Sequence, residues 1–188
     1  MSPDPLGDAD ALLSAFARWS AHTRVHGEVV GRARQRWLEQ QAAEAATLTG
    51  TLLDMAEGEA PVTVLSPQRR FSGRLVGVGA DLCVLEASAR VTVIALRQVI
   101  AVRPHPGATP RPRTASGDRA VHLTMTFRNA LAAMAMDVSP VRIALAGTET
   151  LTGELTGAGD DVITLRLAGV PPRPAYLPIA AVEAFSPQ

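Results

Sequence analysis

The sequence contains no lysine, so all 18 of its basic residues are arginine. The use of arginine in place of lysine, together with the many alanines, is typical of a high-GC genome such as that of an actinobacterium. The 18 arginines are balanced by 18 acidic residues. No net charge therefore steers the whole protein towards nucleic acid or a membrane.

Cysteine and long apolar runs are also scarce. Cys83 is the only cysteine, so no intrachain disulfide can form and an oxidising compartment is not indicated. The longest apolar run, residues 130–136, is far shorter than the ~20 residues of a membrane span. Residues 1–30 lack the basic start and apolar core of a signal peptide. We therefore expect a soluble, cytoplasmic protein with no membrane partner.

The sequence does contain an internal repeat. GRLVGVGADLCVLE at residues 73–86 matches GELTGAGDDVITLR at residues 153–166, with six of 14 positions identical at a shift of 80 residues. The match extends outward in both directions. The chain therefore holds two copies of one unit, residues 48–104 and 123–188, which we call repeat 1 and repeat 2.

Each repeat is predicted to be a short helix followed by five short strands. In repeat 1, Leu48, Leu52 and Met55 are spaced to share one helix face, and Pro61 prevents the helix from continuing. Runs of β-branched and apolar residues, separated by glycine and aspartate turns, then favour strands. The predicted strands of repeat 1 cover residues 62–65, 71–78, 82–85, 91–96 and 99–102.

This order of elements, with Gly-x-Leu at the bend and an aspartate after the second strand, resembles the Sm-like, SH3-like small β-barrel. The repeated phrase is also similar to the carboxyl-terminal barrel of the bacterial ribosome maturation factor. The resemblance implies an α+β, mainly β fold, with two tandem helix-plus-five-strand Sm-like barrels behind an α-helical N-terminal arm. The corresponding domains are a helical arm (1–46), a first barrel (47–104), a Pro/Arg-rich linker (105–120) and a second barrel (121–188).

The RNA-binding motifs of the Sm family are matched only in part. Asp81 and Asp161 correspond to the aspartate of the first motif, but Val84 and Thr164 stand near the place of its asparagine. The arginine–glycine pair of the second motif is missing. The resemblance therefore implies the scaffold, and only Arg97 remains as an RNA contact.

Arginine is concentrated in the middle of the chain. Residues 61–119 carry nine arginines and three acidic residues, whereas the segments on both sides are acidic. Such a cluster can bind phosphate groups, although few aromatic residues are present for base stacking. We therefore predict a non-catalytic RNA- or ribosome-associated binding module. The predicted nucleic-acid-binding residues are Arg69, Arg70, Arg74, Arg97, Arg103, Arg111 and Arg113.

A second hypothesis is a protein–protein interaction adaptor or assembly scaffold that works without nucleic acid. The arginines would then dock on the acidic N-terminal helices or on a protein partner. Exposed strand edges could also pair two copies of the chain into a homo-oligomer.

No pattern of residues predicts catalysis, a metal site or a cofactor. Asp81 and Asp161 stand beside glycines in turns, where aspartate has a structural role. His22 and His26 could share one helix face, but no further ligand has matching spacing. Cys83 lies within a predicted strand and is interpreted as a small apolar core residue. We therefore expect no enzyme activity and no cofactor.

Overall fold

The computed structural model of the protein describes residues 34–38, 40, 41, 44, 46–106 and 123–188. The chain divides into two compact units, Met1–Ala45 and Ala46–Gln188. In the first unit the described residues are helical and exposed. The second unit contains both repeats. Most of the predicted arm and linker lies outside the described residues, and their boundaries stay predictions.

Repeat 1 begins with helix α1 (Leu48–Glu57), whose N-cap is Thr47. The Thr47 hydroxyl accepts a hydrogen bond from the Gly50 N–H at 3.0 Å, which satisfies one of the free donors at the helix start. Five strands follow, with a 3₁₀ turn (Leu96–Gln98) before the last of them. They are β1 (Pro61–Leu65), β2 (Arg70–Val78), β3 (Leu82–Ala87), β4 (Arg90–Ala95) and β5 (Ala101–Pro104).

Repeat 2 has the same elements in the same order, beginning with helix α2 (Phe127–Met136) and its N-cap Thr126. Each long second strand has a register shift at an equivalent place, between Leu75 and Gly77 in β2 and between Leu155 and Gly157 in β7. The predicted duplication and its elements are thereby confirmed. The strands are β6 (Pro140–Leu145), β7 (Thr150–Ala158), β8 (Val162–Leu167), β9 (Arg173–Pro178) and β10 (Val182–Pro187), with a 3₁₀ turn (Ile179–Ala181) before β10.

The prediction of two separate small barrels is wrong. All ten strands form one open antiparallel sheet in the order β5-β1-β2-β3-β4-β10-β6-β7-β8-β9. The repeats join where β4 pairs with β10, with Val93 opposite Phe185 and Ile94 opposite Ala184. This pairing satisfies backbone groups that an isolated repeat would leave exposed along the edge of β4.

The hydrophobic core also crosses the boundary between the repeats. The cluster around Phe127 includes Leu82 and Ala95 of repeat 1. The cluster around α1 includes Ala144 and Ala184 of repeat 2. A unit of about 55 residues buries little apolar surface and is only marginally stable alone, and here each repeat completes the core of the other.

Candidate functional site

A groove of about 550 Å³ crosses the junction between the two repeats. Residues of β4, β10 and β6 form its middle, and residues at the start of β2 and β7 form its sides. The charged side chains that line it are three arginines, Arg69, Arg90 and Arg142. The groove is therefore a positively charged surface with no lining carboxylate among the described residues.

The register of the sheet explains why these side chains meet. Ser186 of β10 pairs with Arg142 of β6, which in turn pairs with Thr152 of β7. On the other side of β10, the same register continued by one residue places Thr92 of β4 opposite Ser186. Directly opposed residues share a face of the sheet, and Arg90 joins that face because it lies two residues from Thr92. A second cavity of about 530 Å³ shares Arg90, Arg142 and Ser186.

Arg90 and Arg142 supply the uncompensated charge of this groove. Both are exposed, and neither forms an ion pair with a carboxylate in the described part of the chain. Strand geometry separates their backbones by about 10 Å across the sheet and about 7 Å along it. Two long side chains at this spacing can reach one anionic group or two neighbouring ones.

Arg69 has a different position, because it holds one side of the groove in place. Its Nε lies 3.3 Å from Oε2 of Glu183, whose side chain is fully buried. Its guanidinium also donates to the carbonyl of Glu149, and the Ser66 hydroxyl donates to Glu183 Oε2 at 3.3 Å. The Arg69–Glu183 contact is an ion pair by distance alone, since Arg69 Nε and Glu183 Oε1 have no hydrogen-bond partner among the described residues. These contacts tie the β1–β2 hairpin to β10 and to the β6–β7 hairpin.

Arg97 likewise connects the repeats. Its guanidinium donates to the carbonyls of Ile179 and Val182, the latter at 3.1 Å, and lies 5.1 Å from the centre of the Phe127 ring. Burial lowers the pKa of Arg97, and the nearby charge of Asp81 opposes that shift. Arg97, which the sequence predicts to contact RNA, therefore binds backbone carbonyls of repeat 2 in the structure.

Arg74 is engaged with carboxylates. It forms an ion pair with Glu86 of β3 at 2.5 Å and lies 3.7 Å from Glu59. The hydrogen bond to Glu86, followed by the charge of Glu86, raises the pKa of Arg74. Because these carboxylates offset its charge, Arg74 adds little positive potential to the surface around it.

Two further predicted residues, Arg70 and Arg103, are exposed. Arg70 begins β2 and is followed by the groove residue Phe71; because successive strand residues point to opposite faces, Arg70 points away from the groove. Arg103 pairs with Thr63 of β1 and is distant from Arg90 and Arg142 in strand order. The predicted arginines therefore do not form one cluster in the described structure.

Four residues singled out in the sequence lie outside the described residues: Arg111 and Arg113 of the linker, and His22 and His26 of the arm.

Sequence reasoning missed Arg90 and Arg142 as a pair. Arg90 lies in the basic middle of the chain, but Arg142 lies in a segment with a negative balance. The 51 residues between them carry no signal that the two arginines lie close together. Predicting that Arg90 and Arg142 lie close together would have required the strand order, in which β10 lies between β4 and β6.

Other polar groups have structural contacts. The Asp81 carbonyl accepts from the Leu96 N–H at 2.9 Å, and its Oδ1 accepts from the Phe127 N–H at 2.8 Å. Cys83 is fully buried, and burial raises the pKa of its thiol to about 12, which disfavours the reactive thiolate. In the described ranges no group of three or more His, Cys, Asp and Glu residues could hold a metal ion.

None of the helices formed by the described residues has the length and apolar character that crossing a membrane requires. No protein-family model matches this chain, and no curated protein matches it.

Proposed function

We propose that this protein is a non-catalytic RNA- or ribosome-associated binding module that holds backbone phosphates in the groove between its repeats. The observation that supports the proposal is the placement of Arg90 and Arg142 on opposite sides of β10. Both are exposed, and neither has a carboxylate partner in the part of the chain that the structure describes. A guanidinium presents paired N–H donors that match two phosphate oxygens.

The remaining polar side chains of the groove suit the same ligand. Thr92, Thr152 and Ser186 bring hydroxyl groups to the row that contains Arg142. Hydroxyls commonly donate to phosphate and sugar oxygens, and such contacts position a nucleic acid without reading its bases.

Few aromatic surfaces are available in the groove for reading bases. Phe185 contributes to its lining but is only 2% exposed, and Phe71 is partly buried. Without exposed rings, base stacking contributes little, and binding depends on charge. We therefore expect RNA binding that tolerates many sequences and weakens strongly with salt.

The test is RNA affinity of the full chain, measured by fluorescence anisotropy with a fluorescein-labelled 20-nucleotide single-stranded RNA of mixed sequence. The double variant Arg90→Ala/Arg142→Ala should bind at least tenfold more weakly at low salt. Each lost phosphate contact should reduce the slope of log affinity against log salt by about 0.7. Removing both arginines should therefore flatten the slope by about 1.4.

The matched control is Arg173→Ala. Arg173 is the counterpart of Arg90 in repeat 2, is exposed and lies on β9, outside the groove. It should retain wild-type affinity to within a factor of two. If the double variant binds RNA as tightly as this control, the groove is not the RNA site.

Co-purification tests the alternative of a protein–protein adaptor. If a polypeptide co-purifies with the endogenous protein after nuclease treatment while the labelled RNA does not bind, the adaptor function replaces the RNA function. Loss of that polypeptide from Arg90→Ala/Arg142→Ala would then assign it to the same groove.

A further inference from the structure

Strand β9 is the repeat 2 counterpart of β4, but its outer edge is free among the described strands. The strand sequences align without a gap, RVTVIA in β4 and RPAYLP in β9. Val91 and Ala95 of β4 correspond to Pro174 and Pro178 of β9. The two strands therefore differ in their ability to donate backbone hydrogen bonds.

The direction of the backbone groups in β4 follows from one hydrogen bond. The Leu96 N–H donates to the Asp81 carbonyl at 2.9 Å, so Leu96 faces β3. Because successive residues of an antiparallel strand aim their backbone groups to alternate sides, Val91, Val93 and Ala95 face away from β3. That is the side on which β10 pairs, with Val93 opposite Phe185.

The same reasoning applies to β9. The Ile179 N–H donates to the Asp161 carbonyl at 2.7 Å, so Ile179 faces β8. Pro174, Tyr176 and Pro178 therefore face away from β8, along the free edge. Proline has no N–H, so Tyr176 is the single donor left among these three positions, and it is 68% exposed.

At the other end of the sheet, the outer edge of β5 is also unpaired among the described strands, and it keeps the properties of its counterpart β10. The His105 N–H donates to the Pro61 carbonyl at 2.9 Å, which turns Val102 and Pro104 outward. Phe185 and Pro187 occupy the equivalent positions of β10, and β10 pairs with β4 through that side. The outer edge of β5 therefore offers the same pattern of donors that β4 accepts inside the chain.

We propose that Pro174 and Pro178 end the sheet by preventing β9 from pairing with β5 of a second copy of this chain. The paired positions of β4, Val93 and Ile94, correspond to Tyr176 and Leu177, which the two prolines flank. Without proline on this edge, β9 of one molecule and β5 of the next would repeat the β4–β10 pairing. That pairing is head-to-tail, so it would continue from copy to copy. The two prolines thereby limit strand addition to the two repeats of one molecule.

The test restores the residues of repeat 1 in the full chain with the double variant Pro174→Val/Pro178→Ala. Both prolines are exposed, so the variant should fold as the wild type does, which far-UV circular dichroism checks. Sedimentation velocity between about 5 and 200 μM should show the wild-type mass constant. The variant should gain mass in steps of one wild-type particle as concentration rises. Pro172→Ala, an exposed loop proline outside β9, is the matched control and should behave as the wild type.

A third change identifies the partner surface. Adding Val102→Pro to the double variant removes the outward N–H of β5 and should return the mass to that of the wild type. The proposal is overturned if the folded double variant keeps the wild-type mass. It is also overturned if association of the double variant survives Val102→Pro, because β5 would then not be the partner strand.

Discussion

At the scale of single residues, Asp81 shows how the two repeats have come to differ. The sequence predicts one structural turn role for Asp81 and Asp161. Their backbones behave alike, because the carbonyls accept from Leu96 and Ile179 at 2.9 and 2.7 Å. Of the two side chains, that of Asp81 alone bonds to the other repeat in the described structure: its Oδ1 accepts from the N–H of Phe127, the first residue of α2. The first N–H groups of a helix have no partner within the helix, so this bond stabilises the start of α2.

Asp81→Ala should therefore destabilise the protein more than Asp161→Ala. We expect a loss of about 0.5–2 kcal/mol in the free energy of unfolding for Asp81→Ala, as for removal of a helix cap. Asp161 is exposed, and its side chain has no hydrogen bond or ion pair among the described residues, so its replacement should cost less. Urea unfolding followed by circular dichroism measures both values. Equal losses would contradict the role of the Asp81 side chain at α2.

At the scale of elements, the curled second strand depends on glycine where two strands approach closely. A Cβ at Gly153 of β7 would collide with the backbone carbonyl of Arg166 on β8. At Gly157, further along the same strand, the nearest atom to a new Cβ would be 3.7 Å away, on Thr164. The sequence places Gly-x-Leu at the bend of each repeat, but only the structure shows which glycine has no space for a side chain.

Gly153→Ala should lower the free energy of unfolding by about 1–3 kcal/mol, the range for overpacking a well-packed site. Gly157→Ala is the control in the same strand and should leave stability within about 0.5 kcal/mol. The midpoints of urea unfolding compare the two variants. A neutral Gly153→Ala would mean that β7 and β8 can separate locally at no cost.

At the scale of the whole molecule, the repeats should unfold together, because each hydrophobic cluster contains residues of both. Two separate barrels would have given two independent cores and two transitions. The observed β4–β10 pairing and the shared core instead predict one cooperative transition for the unit Ala46–Gln188.

Leu155→Asp tests this prediction. Leu155 is fully buried, and an unpaired buried charge is among the changes that cost more than about 4 kcal/mol. We expect loss of the β-sheet signal from both repeats in circular dichroism. The control Val76→Asp, at a position 44% exposed on β2, should keep the signal. A Leu155→Asp variant that retains about half of the signal and still melts cooperatively would show that repeat 1 folds alone.

The sequence by itself determined the duplication, the two helices and the ten strands. These features depend on periodicity, proline positions and turn residues that act within a few neighbouring residues. Only the tertiary structure decided that the strands form one sheet and that Arg90 and Arg142 line one groove. The physical reason is that pairing between β4 and β10 is made by backbone groups, which every residue except proline carries alike. The choice of β10 as the partner of β4 depends on the burial of apolar residues between the repeats, among them Phe127, Leu82 and Ala184. This burial adds up over residues that are distant in the sequence, so no local sequence pattern predicts it.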